Sequence, residues 1–243
     1  GFVLVVLWML GGVCAYCGAL CYAELAAALP RSGGEYHFLS KIFHPAVGFL
    51  SGWLSATVGF AAPIALAAMA LGTYAAGVVP GADPLTVSIT VVVAVTLVHL
   101  KGTGAGSVLQ NLATWLKVAL IVVFIGAGFV MVENPQPVAF LPVDGDWDLI
   151  TSAPFAVSLV YVMYAYSGWN ASTYIVGEVR NAARNVPLSV ALGTLLVGLL
   201  YVLLNVVFLR VAPMGDMAGQ MDVAAVAAGH LFGEGGGRIM SGL

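Results

Sequence analysis

Charge is what this sequence has least of. Asp, Glu, Lys and Arg together make up 8% of its 243 residues, against roughly 25% in a soluble globular chain. That scarcity excludes a water-facing surface for most of the protein, and the 61% hydrophobic content with a mean hydropathy of +1.02 makes it a polytopic membrane protein. Runs of Lys or Arg are also missing, and the net charge of -3 is small. A polyanionic partner such as nucleic acid, or a strongly anionic lipid patch, is therefore not expected. Cysteine is confined to Cys14, Cys17 and Cys21 within one apolar segment. With no second Cys/His pair to complete a metal or redox site, these read as small residues on a packed helix face. No basic stretch precedes Phe2, so a signal peptide is not expected. The apolar start at Gly1, and the helix-like run Arg238–Leu243 at the other end, read as an internal stretch of a longer chain.

A hydrocarbon core of about 30 Å needs roughly 20 apolar helical residues. Six segments meet or approach that length: Phe2 to Leu29, Val47 to Val79, Leu85 to Leu100, Val108 to Val132, Ser152 to Val176 and Leu188 to Val211. The third is short, and Pro63 is placed to bend the second. The whole of 1–243 is expected to form a single transmembrane domain. Connectors alternate in charge. Arg31, Lys41, Lys101, Arg180 and Arg184 fall on one side; the other is acidic or proline-rich, carrying Asp83, Glu133, Asp144, Asp146, Asp148, Asp216, Asp222 and Glu234, with Arg210 and Arg238 its only basic residues. Five basic residues against two orients the first group to the cytoplasm.

The fifth segment carries the most informative stretch, Tyr161-Val-Met-Tyr-Ala-Tyr-Ser-Gly-Trp-Asn170. Within a bilayer, non-helical backbone is tolerated only where it is buried in protein or lines a cavity, so an interruption at mid-membrane depth points to a binding site. Gly168 permits backbone geometries that a Cβ hinders, and Ser167 is small. An unbroken helix with a packing face of small residues is the competing reading.

Two ordered motifs then carry a family resemblance. Gly18-Ala-Leu-Cys-Tyr-Ala-Glu-Leu25 followed by Pro30-Arg-Ser-Gly-Gly-Glu-Tyr36 resembles the second helix and following loop of amino-acid permeases of the APC superfamily. Tyr164-Ala-Tyr-Ser-Gly-Trp-Asn170, with Glu178 and Arg184-Asn-Val-Pro187, is similar to the sixth helix and its loop in the L-type amino-acid transporter branch. The resemblance implies an all-α, LeuT-like fold of two inverted five-helix repeats, of which this chain would supply helices two to seven and the start of the eighth. It implies a secondary transporter in the cell membrane that moves amino acids by alternating access, as a proton symporter or an exchanger. The substrate would be held between the unwound centres of helices one and six, here by Tyr164, Ala165, Tyr166, Ser167, Gly168, Trp169 and Asn170. Half-helix N-termini favour a carboxylate, and freed carbonyls favour an ammonium. Tyr164 occupies the place of the family's aromatic gate; Trp169 and Asn170 serve either structure or substrate.

Lys117 lies inside the fourth segment, about 12 Å along the helix from Leu109. An intramembrane Lys costs roughly 2.5 to 3.5 kcal/mol on insertion scales. Either its stem snorkels to the interface, or, as the resemblance implies, it occupies the place sodium takes in related sodium-coupled transporters and acts as the coupling residue. Other polar positions read more plainly. Glu24 is expected to pair with Arg31 or Lys41, or to accept from loop amides; Glu178, Arg180 and Arg184 form either a gate network or solvated topology charges. His37, His44, His99 and His230 suggest no metal, and no cofactor motif is present: Gly102-Thr-Gly-Ala-Gly106 lacks the preceding strand and Gly-Lys-Ser/Thr ending of a phosphate loop. No catalytic motif falls within a span, so an enzyme is not expected. An amine or polyamine transporter of the same fold, and a channel or receptor, stay open as alternatives. A glycoprotein heavy chain is not expected, because no cysteine falls in an external connector.

Overall fold

The computed structural model describes residues 1–79, 81–220, 222–233 and 235–237. Glu234, Arg238 and the helix-like run Arg238–Leu243 lie outside the described residues. Among the described residues every regular element is helical. Four helical stretches are long and apolar enough to cross a membrane: Phe2–Ala28, Pro45–Gly77, Gly104–Val130 and Ala182–Val211. The chain divides into two compact units, Gly1–Gly59 with Ala139–Asn205, and Phe60–Val138 with the described residues from Val206 on.

Helix starts follow a repeated local rule, a side-chain cap followed by proline. His44 accepts from the Ala46 amide ahead of Pro45 to open α3 (Pro45–Leu54), after α1 (Phe2–Ala28) and α2 (Gly34–Ile42). Asp83 accepts from Thr86 N at 2.8 Å ahead of Pro84 to open α5 (Pro84–Leu100), which follows α4 (Ala61–Val78). Ser152 caps α8 (Ala153–Ala165), with Pro154 in its first turn, after α6 (Thr103–Val130) and the short α7 (Asp146–Ile150). Proline costs nothing there because its missing N–H would have been unpaired anyway. Hydrogen bonds from Thr86 also hold the exposed Asp83 carboxyl below the usual carboxylate range.

The second expected span is continuous from α3 to α4 but widens to a π-helix over Ser55–Phe60. Pro63 explains it. Its ring clashes with the carbonyl four residues back, at Gly59, and a wider turn relieves that contact without breaking the helix. The third expected span is α5, 17 residues long, or about 26 Å at 1.5 Å per residue. The fifth arrives in two pieces, α8 and a 3₁₀ helix over Trp169–Glu178, before α9 (Ala182–Val211). The connector after α1, read from the sequence as a loop, contains α2.

In the first unit α1 buries Leu7, Gly11, Ala15, Ala19, Ala23 and Ala26. Steps of four and three keep these on one helical face, and their small size lets neighbouring backbones approach closely. Around Ala19, Ala23 and Ala26 pack Phe38, Val176, Val186 and Val190. Cys14, Cys17 and Cys21 are exposed, which corrects the expectation that they line a packed face. The Ala/Gly stripe takes that face, and a helix of 3.6 residues per turn points the cysteines away from it.

In the second unit α4 and α5 form a close antiparallel pair. The buried Ser88 hydroxyl faces the carbonyls of Ala68 (2.8 Å) and Pro84 (2.7 Å), and Gly72 leaves room for that approach. Ser88→Val removes the interhelical bond and adds bulk at the crossing, so it is expected to destabilise the unit by about 1 to 3 kcal/mol. Thermal unfolding in detergent checks this; a melting temperature equal to that of the wild type would show that the pair does not depend on the contact. α6 meets the last part of α9 through Phe124 against Phe208 (5.8 Å between centroids) and the Arg210 guanidinium over Phe129 (5.4 Å).

Candidate functional site

The break is built from local chemistry outward. α8 ends with the Tyr166 N–H on the Val162 carbonyl (3.1 Å), and the Ser167 N–H then reaches only three residues back, to Tyr164 O at 3.0 Å. Gly168 follows with φ +104° and ψ -11°, a left-handed conformation that stops the helix. The Ala171 N–H takes the Gly168 carbonyl at 3.1 Å, which starts the tighter 3₁₀ helix. Ile175 leaves helical geometry again (φ -113°, ψ 18°). The competing reading of an unbroken helix is therefore set aside for residues 166–168.

Ala165, Tyr166, Ser167, Gly168 and Trp169 line a cavity of about 390 Å³. The opposite wall is α9, which contributes Ser189, Gly193, Val197 and Tyr201 at successive steps of four residues, with Thr194 beside them. That volume falls in the range of small-molecule sites, roughly 300 to 1,000 Å³, and the lining mixes apolar surface with a few hydroxyls. Tyr166 is the fixed wall. It is 4% exposed, its hydroxyl donates to the Trp8 carbonyl at 3.0 Å, and its ring lies edge-on to Trp8 (5.7 Å) and tilted against Tyr201 (5.2 Å). A second, more apolar cavity of about 320 Å³ lies across Tyr166 and Thr194, lined by Trp8, Gly12 and Tyr16 from α1.

Two of the seven substrate-binding residues singled out from the sequence do not line the larger cavity. Tyr164 is 56% exposed. Asn170 turns to α2, where its Nδ2 donates to Glu35 Oε1 at 2.6 Å. Trp169 is half-buried, edge-on to Tyr22 at 5.1 Å; a Cβ on Gly18 would come within 2.8 Å of its ring. Lys117 lies on α6 in the other unit, exposed, and among the described residues it forms no ion pair. Glu24 is exposed and does not pair with Arg31 or Lys41. Glu178, Arg180 and Arg184 are likewise not buried and are unpaired with one another, as solvated charges are.

The α9 wall was missed by sequence reasoning, although its signal was present: Ser189, Gly193, Val197 and Tyr201 repeat at the four-residue step of one helix face. The loop that holds the post-break segment is marked in the sequence only by its family motif. The Gly33 N–H donates to the Tyr174 carbonyl (3.2 Å), and the Gly177 N–H donates to Ser32 Oγ (2.8 Å). With the Glu35–Asn170 bond these clamp residues 170–177 onto residues 32–35.

Several membrane-length helices and one helix interrupted at a cavity define a polytopic membrane protein with a discontinuous helix, an arrangement used at the ligand sites of secondary transporters. The chain belongs to the amino acid permease family, whose model matches residues 1–243. Curated relatives agree. It is similar to the b(0,+)-type amino acid transporter 1 of Mus musculus, with 29% identity over 90% of this chain and 46% of the relative. The Asc-type amino acid transporter 1 of Homo sapiens is 27% identical over 93% of this chain and 45% of its own length. The serine/threonine exchanger SteT of Bacillus subtilis (strain 168) is 27% identical over 96% and 53%. The chain spans about half the length of these relatives.

Proposed function

We propose that the protein carries amino acids across the membrane by alternating access, with the substrate seated at the Tyr166–Gly168 break. The observation that carries this reading is the left-handed Gly168 opening the helix onto a cavity lined by hydroxyl-bearing side chains. A broken helix in lipid leaves backbone N–H and C=O groups that a zwitterion satisfies and a hydrocarbon chain does not. Ala165, Ser167, Gly168 and Trp169 act as the floor, Tyr166 holds the wall, and Tyr164 stands ready as a gate that moves over the substrate. Small side chains with a hydroxyl suit the Ser167, Ser189 and Thr194 lining, in keeping with the name of the serine/threonine exchanger among the relatives. No reaction is catalysed, and no heavy chain is required. Lys117 belongs to this reading as the coupling residue on α6.

Uptake of labelled L-serine, L-alanine, L-leucine and L-arginine into proteoliposomes bearing the full-length protein tests it. Saturable, stereoselective uptake, stimulated by unlabelled amino acid preloaded inside, is expected; a non-saturating flux would replace the transporter with a channel. Lys117→Gln is expected to lower uptake about tenfold across the pH range, the scale of a typical coupling energy. Undiminished uptake at every pH would remove Lys117 from the mechanism.

A further inference from the structure

Six of the described residues that line the larger cavity carry a hydroxyl: Tyr166, Ser167, Ser172, Ser189, Thr194 and Tyr201. A hydroxyl selects a ligand when the fold has not already engaged it and water does not compete for it freely. Tyr166 already donates to the Trp8 carbonyl, and the Ser172 hydroxyl to the Trp169 carbonyl at 3.3 Å. Ser167 and Ser189 are exposed, so each would exchange a water for a ligand group with little net gain. Thr194 is buried and its Oγ1 has no partner, but that atom is sealed within the wall.

Tyr201 differs from all of these. The residue is only partly exposed, yet among the described residues its hydroxyl takes no partner and is not sealed off by protein. Its ring is held from two sides, edge-on to Trp8 at 5.5 Å between centroids and tilted against Tyr166 at 5.2 Å. Behind these rings lies the cluster of Leu7, Ala15, Phe155 and Val162. A tyrosine ring fixed in this way carries its hydroxyl with little conformational freedom left to lose on binding.

The position of Tyr201 says which part of a ligand it meets. In the transport reading the charged groups of an amino acid are taken up by the backbone of the break, and Tyr201 stands on the opposite wall, α9. It therefore faces the side chain. None of the described residues lining the cavity is charged, so an acidic or basic side chain finds no counter-charge there. A phenol both donates and accepts, which suits a second hydroxyl in either direction. A methyl group in the same place displaces water from the phenol and leaves it unpaired, and a site built to hydrogen-bond a hydroxyl rejects such an analogue for that reason.

We infer that Tyr201 is the specificity-determining residue of this cavity, its phenol hydroxyl hydrogen-bonding the side-chain hydroxyl of a small amino acid such as serine. The inference rests on the transport reading for the occupant of the cavity and deepens it by assigning the contact that selects among amino acids.

The test uses the full-length protein in proteoliposomes, wild type beside Tyr201→Phe, which keeps the ring against Trp8 and Tyr166 and removes only the hydroxyl. Initial rates are measured for L-serine and for L-α-aminobutyrate, which carries a methyl group where serine carries its hydroxyl. Binding of both to the purified proteins is measured by calorimetry. The wild type is expected to prefer serine about tenfold in kcat/KM, the scale of one hydrogen bond in a protected site. Tyr201→Phe is expected to lose that preference through a raised KM for serine, with α-aminobutyrate kinetics unchanged. A variant that keeps the preference overturns the inference, as does a wild type that has none. An equal loss for both substrates also overturns it, by marking the hydroxyl as structural. A wild type that carries only other amino acids overturns it while leaving the transport reading standing. Should the wild type carry no amino acid at all, the transport reading fails and calorimetry decides: serine binding weakened in Tyr201→Phe upholds the inference, and equal or absent serine binding overturns it.

Discussion

Gly168→Val is expected to reduce amino-acid uptake by the full-length protein about 10- to 100-fold while leaving it inserted and monodisperse. At φ +104° the residue sits where a β-branched side chain is strained by about 1 to 3 kcal/mol. Nothing lies within 4 Å of the place its Cβ would occupy. The penalty is therefore one of backbone conformation, and the chain escapes it by rotating residues 166–168 toward a helical geometry, which closes the cavity floor. Each 1.4 kcal/mol is a factor of ten in the population of the competent form. Uptake and size-exclusion profiles measured side by side check this. A Gly168→Val protein that transports like the wild type would mean that the left-handed turn is not required in the cycle.

Gly34→Val is expected to have a larger effect on folding than on any single step of transport. Two penalties combine there. The residue has φ +50°, and a Cβ would stand 2.7 to 2.9 Å from three atoms of the Tyr174 ring. Left-handed backbone costs roughly 1 to 2 kcal/mol, and overpacking typically another 1 to 3. The expected outcome is a loss of about 2 to 5 kcal/mol, read as a lower melting temperature in detergent and poor yield in membranes. The two parts can be separated with Gly34→Ala made in the background of Tyr174→Ala. Removing the ring should recover the steric share and leave the backbone share, so the two changes are non-additive. Full additivity would show that the ring does not press on Gly34.

The same two glycines mark how far the sequence could be read. Gly168 was legible because Ser-Gly-Trp-Asn interrupts an otherwise continuous apolar run, and an interruption is a local signal. Gly34 stands in a family motif that carries no local sign of its role. Its reason lies in Tyr174, some 140 positions away in the chain, and no periodicity reports which ring will stand over which backbone. Asn170 behaves similarly. Its polarity at the break marked it as a tie to a neighbouring helix or a substrate contact, and only the fold shows that Glu35 receives it.

Helix faces divide in the same manner. Apolar length predicted α1 as a span, but a helix rich in Ala, Gly and Cys offers more than one face of small residues. The choice of Leu7, Gly11, Ala15, Ala19, Ala23 and Ala26 for burial, with Cys14, Cys17 and Cys21 exposed, was made by partners such as Phe155, Val162 and Val176. In the second span Pro63 announced a distortion, and the fold shows its form, a π-helical widening over Ser55–Phe60.

What the sequence determined by itself is therefore whatever depends on neighbours along the chain: the membrane as solvent, the helices and their proline-marked starts, and the position of the break. Hydrophobicity, capping and glycine freedom act within a few residues, so they can be read a few residues at a time. The tertiary structure alone decided which side chains share a cavity, which carboxylate takes the Asn170 amide, and which helix face is buried. Those outcomes are set by close packing between segments far apart in sequence, where a few tenths of an ångström separate contact from clash.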